Sequence, residues 1–165
     1  MGTGRGSRSS VIRLVAMDID GTLTDGGFYM DGSGNELKRF DVRDGYGIVA
    51  LKISGVEVAF ISGRKSPATD ARARDLGVGR VVNGTKNKLP HLVAMAGELG
   101  LDASEIAFIG DDVPDLECIE WAGLGIAVAD ATDEILAVAD WVSPKAGGRG
   151  AVRAAAEHIL WLNAQ

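Results

Sequence analysis

Short apolar runs alternate with segments of helical pattern along this 165-residue chain, and this alternation constrains the fold more than any other feature. Strands that alternate with helices build βαβ units, whose strands lie parallel in one sheet. The pattern predicts an α/β fold, a three-layer doubly wound sheet that is mainly parallel. The predicted strands are 11–17, 56–61, 80–83, 106–110, 124–128 and 140–142, and the predicted helices lie near 45–54, 66–76, 87–100, 114–122, 132–138 and 149–162.

Residues 26–41 depart from this rhythm. Two short apolar segments, 28–30 and 37–40, flank the glycine-rich stretch 31–34, a pattern that predicts a protruding β-hairpin. Residues 1–10 are polar and rich in glycine and serine, and they lack the apolar stretch of a signal peptide. We therefore expect a disordered lead at 1–10 and a single domain over 11–165.

Composition excludes several classes of partner. The net charge of −6 argues against a nucleic-acid surface, which needs clustered Lys and Arg. No apolar run approaches the roughly 20 residues that a membrane span requires, so we expect no membrane partner and a cytoplasmic protein. The single cysteine, Cys118, excludes an intramolecular disulfide and a cysteine-based zinc site, and its apolar neighbours predict a buried side chain.

Two carboxylates follow the first predicted strand. Asp18 and Asp20 lie two residues apart, and because side chains in a strand alternate, both point the same way. Gly21 lets the backbone turn sharply after them. Carboxylates held together raise each other's cost of ionisation, so such a pair persists most readily if a cation neutralises it or if one member donates a proton. The alternative is an ordinary acidic turn.

Two further clusters follow the second and third strands. Ser62 precedes Gly63 at the start of a helix, where a hydroxyl and backbone N–H groups suit a phosphate oxygen, although a helix N-cap is the alternative. Lys88 leads the next helix, where a cation opposes the helix dipole and is better explained if it faces bound negative charge. Lys86 is the second candidate for this role, and simple solvation at the surface is the alternative.

A fourth cluster, Asp111, Asp112 and Asp115, follows the strand 106–110. Pro114 should begin a helix and put Asp115 in its first turn, where capping alone could explain it. Carboxylate oxygens without His or Cys at matching positions suit Mg²⁺. Because ligands bind beyond the C-terminal ends of parallel strands, we expect all four clusters to share one site.

These clusters, in this order, carry a resemblance to a known family. Asp-x-Asp-Gly-Thr at 18–22, Ser-Gly at 62–63, Lys88 and Gly-Asp-Asp-x-x-Asp at 110–115 together resemble the haloacid dehalogenase superfamily of phosphohydrolases. More narrowly, residues 26–29, 40–47, 62–64, 128–131 and 147–153 are similar to the 3-deoxy-D-manno-octulosonate 8-phosphate phosphatase family. The resemblance implies a Rossmann-like fold and Mg²⁺-dependent hydrolysis of a phosphorylated sugar acid. Only 41 residues separate Asp20 from Ser62, which leaves no room for a cap domain.

The resemblance also implies a role for each residue. Asp18 would be the nucleophile that forms an aspartyl phosphate, and Asp20 the general acid and base. Asp18, the main-chain carbonyl of Asp20 and Asp111 would hold Mg²⁺, while Ser62 and Lys88 would bind the phosphoryl group. The remaining two acids, Asp112 and Asp115, would support the metal or Lys88 from behind.

Arginines and apolar hairpin residues indicate how the substrate is bound and the site covered. Guanidinium groups suit the carboxylate or phosphate of a sugar acid, and the candidates around the site are Arg43, Arg64, Arg72 and Arg149. Arg149 and Arg153 either reach a neighbouring subunit or lie exposed in the first turn of a helix. The resembling family forms homotetramers in which hairpins and C-terminal tails close neighbouring sites. Exposed apolar side chains on the hairpin fit such an interface, namely Phe28, Tyr29, Met30 and Phe40; the alternative is a flap that folds onto its own core.

Three other functions are alternatives for a chain with these motifs. In a phosphate-accepting receiver domain, the acidic pair precedes the strand that carries the phosphoacceptor. Here the Asp-x-Asp pair, which contains the candidate phosphoacceptor, comes first in the chain. A non-catalytic oligomerisation module should have lost at least one motif, and none is lost. A phosphatase for another sugar-acid phosphate, such as that of a nine-carbon keto acid, stays open, although Arg64 after Ser62-Gly63 favours the eight-carbon acid.

Overall fold

The computed structural model describes residues 10–165, which form a six-stranded parallel sheet covered by helices. The strands are β1 (Leu14–Met17), β4 (Glu57–Ser62), β5 (Arg80–Asn83), β6 (Ile106–Gly110), β7 (Leu124–Ala127) and β8 (Trp141–Val142), in the order β5-β4-β1-β6-β7-β8. Met17 is level with Phe60 and Ile109, so the chain leaves β1, β4 and β6 at one edge of the sheet. This register brings the four polar clusters within reach of one another.

The helices are α1 (Val42–Ile53), α2 (Pro67–Leu76), α3 (Lys88–Leu99), α4 (Leu116–Trp121), α5 (Asp133–Val138) and α6 (Ala151–Asn163). Strands β1 and β6 are buried along their whole length, as expected for central parallel strands with helices on both faces. The predicted three-layer, mainly parallel α/β fold is confirmed. Cys118 is fully buried, as predicted, and burial raises the pKa of its thiol to about 12.

Three helix starts differ from the prediction for local reasons. Helix α1 begins at Val42 because the carboxylate of Asp41 caps it, accepting from the Arg43 amide at 2.8 Å. The predicted helix 114–122 opens as a 3₁₀ turn, Val113–Asp115, so Asp115 precedes the α-helix instead of lying in its first turn. Helix α6 begins two residues late because Gly150 takes a left-handed conformation with φ of +105°.

The predicted hairpin is present as two short antiparallel strands, β2 (Tyr29–Met30) and β3 (Glu36–Leu37). Tyr29, Met30 and Leu37 are well exposed on it. The expectation that Phe40 is exposed is wrong: it lies past β3, half-buried, and packs against the main core with the Arg72 guanidinium 5.5 Å from its ring. Between β1 and β4 the chain forms this hairpin and α1, and residues 18–56 hold no cap domain.

The predicted lead lies outside the described residues except for Ser10, whose hydroxyl bonds that of Ser104 at 3.2 Å. Among the helices of residues 10–165, none has the length and apolar character needed to cross a bilayer.

Candidate active site

A cavity of about 290 Å³ lies beyond the C-terminal ends of β1, β4 and β6. Strand β1 sits between β4 and β6, the point where the strand order reverses and where ligands bind in open α/β sheets. Members of all four predicted clusters or their immediate neighbours line the cavity, together with the hairpin: Asp18, Asp20, Gly26, Phe28, Gly63, Arg64, Lys88, Asp111, Asp112, Pro114 and Asp115.

Lys88 links two of the carboxylates. Its Nζ donates to Oδ1 of Asp18 and to Oδ1 of Asp115, both at 2.7 Å, and its side chain is buried. Burial alone would lower the pKa of Lys88, but attraction to Asp18 and Asp115 outweighs it and raises the pKa above its ordinary value. Lys88 is therefore a charged ammonium inside the site, whereas Lys86 is exposed and does not line the cavity.

Asp111 crowds against this pair. Carboxylate oxygens of Asp18, Asp111 and Asp115 lie within 4.8 Å of one another. Burial, and then the neighbouring Asp18 and Asp115, raise the pKa of Asp111 to about 9. Burial and Asp115 also raise the pKa of Asp18, against the opposing effect of Lys88. We call Asp18, Lys88, Asp111 and Asp115 the strand-end cluster; it holds three acids and one ammonium.

Close backbone approach makes this crowding possible. A Cβ on Gly21 would lie 1.9 Å from Oδ2 of Asp111, so only glycine leaves room for that carboxylate above the turn. Asp115 is held from behind, because its Oδ2 accepts from the amides of Asp111 at 3.0 Å and Asp112 at 3.4 Å. With its other oxygen on Lys88, Asp115 is fully engaged, and Asp18 and Asp111 face the cavity beside it.

Ser62 and Asp112 make local contacts. Ser62 is the buried last residue of β4, and its hydroxyl donates to the carbonyl oxygen of Arg64 at 2.6 Å. The N-cap alternative for Ser62 is wrong, because Ser66 caps α2 by accepting from the Ala68 amide. Asp112 lines the cavity mouth but is exposed, and its Oδ1 accepts from the Val113 amide at 2.7 Å. Its observed contact is thus a cap on the 3₁₀ turn.

Of the predicted arginines, the structure brings Arg64 to the cavity. Its guanidinium carbon lies 3.8 Å from the centre of the Phe28 ring, and the group forms an ion pair with Glu36. Both partners come from the hairpin, so the hairpin of the same chain contacts the mouth of the site. This contact agrees with the flap alternative for the hairpin.

The other four predicted arginines lie outside the cavity lining, and each pairs with a carboxylate there. Arg43 pairs with Asp41 at 2.9 Å, Arg72 with Asp75 at 2.7 Å, Arg149 with Asp25 at 3.2 Å and Arg153 with Glu157 at 2.6 Å. Arg72 occupies the second half of α2.

Lys38 is a residue of the site that was not predicted from the sequence. Its Nζ lies 2.5 Å from Oδ1 of Asp20, and its side chain is fully buried. The signal that could have found it is the alternation Glu36-Leu37-Lys38, in which two charges flank an apolar residue and so share one face of a strand. We call Lys38–Asp20 and Glu36–Arg64 the hairpin pairs.

Comparisons with known proteins agree with this geometry. The model of the haloacid dehalogenase-like hydrolases matches residues 76–154. The 3-deoxy-D-manno-octulosonate 8-phosphate phosphatase KdsC of Escherichia coli K12 is 42% identical over 154 residues, which cover 93% of this chain and 82% of the relative.

Two solved structures are similarly close. The phosphatase of the same name from Moraxella catarrhalis, in complex with magnesium, phosphate and KDO, superposes with a TM-score of 0.90 at 44% identity, covering 93% of this chain and 88% of the other. The cobalt-bound deoxy-D-mannose-octulosonate 8-phosphate phosphatase of Haemophilus influenzae gives 0.89 at 37% identity, covering 93% and 90%. The chain therefore belongs to the haloacid dehalogenase superfamily, in the family of the 3-deoxy-D-manno-octulosonate 8-phosphate phosphatases.

Proposed function

We propose that this protein hydrolyses 3-deoxy-D-manno-octulosonate 8-phosphate to the sugar acid and inorganic phosphate. The observation that carries the proposal is the contact of Lys88 with Asp18 beside Asp111, in the lining of a cavity and in a chain of this family. A carboxylate next to a fixed ammonium can attack phosphorus, because the ammonium offsets the charge of the incoming phosphoryl group.

In the proposed reaction, Asp18 attacks phosphorus in line with the ester oxygen. The bond from Asp18 to phosphorus forms as the ester bond breaks, and Asp20 gives its proton to the departing sugar oxygen. Asp20 then takes a proton from water, which cleaves the aspartyl phosphate, releases phosphate and restores Asp18. Lys88, and Ser62 if its hydroxyl turns from the Arg64 carbonyl, would bind the phosphoryl oxygens throughout.

The strand-end cluster fits a magnesium ion. Its donors are hard carboxylate oxygens, and a divalent cation would stabilise the charged form of Asp111, whose pKa burial and the neighbouring Asp18 and Asp115 raise to about 9. Asp18, Asp111 and the main-chain carbonyl of Asp20 would hold the ion, with Asp115 and Asp112 behind them. When bound, Mg²⁺ withdraws negative charge from the phosphoryl oxygens.

Recognition of the sugar acid is proposed for Arg64, whose guanidinium stands at the cavity mouth and suits a carboxylate. Arg43 and Arg72 lie outside the cavity lining and would act only at longer range. Arg149, with Arg153, would reach substrate only in a neighbouring subunit, which the family's homotetramer would provide. Cytoplasmic localisation stays a prediction.

A homotetramer is part of the proposal. The exposed hairpin residues Tyr29, Met30 and Leu37 are large and apolar, and such groups on a protrusion are better covered by another subunit than by water. Trp161 near the C-terminus is exposed as well, which fits an interface at that tail. Light scattering should give four times the mass of the chain; a monomer mass would remove this part of the proposal.

The test of the reaction is a panel of phosphorylated sugar acids assayed with Mg²⁺ for release of phosphate. We expect the highest kcat/KM for the eight-carbon ester and lower values for the nine-carbon keto acid phosphate. The Asp18→Asn variant, which keeps the shape of the side chain, is the matched control for contaminating phosphatases. A preference for the nine-carbon ester would overturn the substrate assignment and leave the phosphatase assignment standing.

A further inference from the structure

The return strand of the hairpin and the residue that follows it, Lys38, send two charged side chains toward the site. Glu36 and Lys38 are two residues apart and share a face, while Leu37 between them points to solvent and is 71% exposed. Glu36 pairs with Arg64 and Lys38 pairs with Asp20. The hairpin therefore does more than extend from the molecule: it is fixed to two residues of the cavity wall.

The Lys38 contact is the more constrained of the two. None of its side-chain surface is exposed, and a buried ammonium is costly unless it is paired. Its partner Asp20 keeps 26% of its side-chain surface exposed and lines the cavity, whereas Lys38 does not. Lys38 thus lies outside the cavity lining, and the cavity residue that it contacts is Asp20.

Each acid of the Asp-x-Asp motif consequently has a lysine of its own. Asp18 is held by Lys88 from the start of α3, and Asp20 is held by Lys38 from the hairpin. Two side chains that follow one strand are drawn to different ammonium groups on different elements. The two acids of the motif therefore have separate ionic partners.

We propose that Lys38 is a positioning residue that holds the Asp20 carboxylate in the orientation from which it exchanges a proton with the leaving oxygen. This inference rests on the proposed function. In the first step the proton passes from Asp20 to the ester oxygen as the oxygen–phosphorus bond breaks and the Asp18–phosphorus bond forms. A sugar alkoxide is a poor leaving group and needs that proton, whereas p-nitrophenolate leaves without it.

The experiment compares kcat/KM of the wild type and Lys38→Met for two esters, the best sugar-acid phosphate and p-nitrophenyl phosphate. This ratio reports the steps up to formation of the aspartyl phosphate. We expect a loss of about 30-fold or more for the sugar ester and less than about threefold for the aryl ester. Lys65→Met, which removes an exposed lysine that does not line the cavity, should leave both values unchanged.

Equal losses for the two esters would mean that Lys38 only docks the hairpin, and they would overturn the proposal, as would no loss at all. If Lys38→Met does not fold, Lys38→Arg decides, because it keeps the charge but displaces the contact. The loss of kcat/KM in Lys38→Arg should then also be larger for the sugar ester than for the aryl ester. Equal losses for the two esters would overturn the proposal.

A structural readout separates this inference from the proposed function. In a crystal structure of Lys38→Met, or of Lys38→Arg if Met does not fold, the Asp20 carboxylate should leave its wild-type orientation or occupy several. An unchanged single orientation would overturn the positioning role. If the wild type hydrolyses neither ester, the proposed function fails, and the crystal comparison still decides whether Lys38 positions Asp20.

Discussion

The strand-end cluster and the hairpin pairs supply charged groups to the same cavity, but they are built in opposite ways. The strand-end cluster holds three acids and one ammonium, and burial together with the neighbouring Asp18 and Asp115 raises the pKa of Asp111 to about 9. The hairpin pairs match one acid with one base twice. The first arrangement is electrostatically unfavourable until a cation binds, whereas in the second each acid already has a base as its partner.

Because of this difference, we expect the strand-end cluster and the hairpin pairs to contribute to the reaction in different ways. A cluster with unneutralised charge is the part that metal binding stabilises most. We therefore expect its residues to take part in the reaction. In the hairpin pairs, Lys38 and Glu36 do not line the cavity, and we expect them to act by holding Asp20 and Arg64 in place. Substitutions in the strand-end cluster should therefore lower turnover more than substitutions of Lys38 or Glu36 do. They should also change the stability of the fold, because the cluster is buried.

The largest effect is expected for Asp18→Asn. Loss of the attacking carboxylate should lower turnover of p-nitrophenyl phosphate at least about 10⁴-fold, because an amide cannot form the covalent intermediate. The fold should survive, since the change removes one charge from a crowded site. Circular dichroism checks the fold, and Asp70→Asn on α2 is the matched control. Residual turnover near the wild-type level would exclude Asp18 as the nucleophile.

Lys88→Met should come next, and it should damage stability as well as activity. It leaves Asp18 and Asp115 buried without their counterion, a change that costs about 3–5 kcal/mol in buried pairs. Turnover should fall about 10²–10³-fold, because the transferring charge loses its fixed partner. Urea unfolding with EDTA present measures the first effect and a phosphate-release assay the second.

A second substitution separates the two losses. Adding Asp115→Asn to Lys88→Met removes one unpaired charge, so it should restore part of the stability and none of the activity. Recovery of activity in the double variant would contradict a direct role of Lys88 at the phosphoryl group.

Asp111→Asn should change how the stability of the fold depends on pH. An acid whose folded pKa is raised binds more protons in the folded state, so the metal-free wild type should lose stability as pH rises from about 4 toward 9. The variant lacks that titration and should melt higher than the wild type at pH 8 in EDTA, with the difference shrinking toward pH 4.

Magnesium supplies the control for this prediction. Mg²⁺ should raise the melting temperature of the wild type at pH 8 and barely change that of Asp111→Asn, because a ligand that binds only the folded state stabilises it. Scanning fluorimetry at both pH values with Mg²⁺ or EDTA gives all the comparisons. Equal melting curves for the two proteins in EDTA at every pH would mean that the charged form of Asp111 does not destabilise the fold.

The two regions also differ in how far the sequence predicts them. The strand-end cluster could be predicted, because parallel strands end at one edge and each motif directly follows an apolar strand. Lys38 was missed and Phe40 was placed wrongly, because both depend on how two strands of two residues each fold back onto the body. The arginines show the same limit: residue type predicts an anion partner, but a nearby carboxylate such as Asp41 or Asp75 can be that partner.

Substitution of Asp112 should have the smallest effect on turnover. It tests whether this residue only supports the structure or also takes part in the chemistry. Its carboxylate caps the 3₁₀ turn that carries Asp115, so Asp112→Ala should cost about 1 kcal/mol of stability and Asp112→Ser, which can still accept the Val113 amide, much less. Turnover of both variants should stay within about threefold of the wild type, because Asp115 is also held by the amide of Asp111 and by Lys88. Chemical unfolding and phosphate release measured on the same samples decide the matter. If both variants keep their stability and lose more than tenfold in turnover, Asp112 serves the metal or Lys88 directly, and the boundary of the strand-end cluster must be widened to include it.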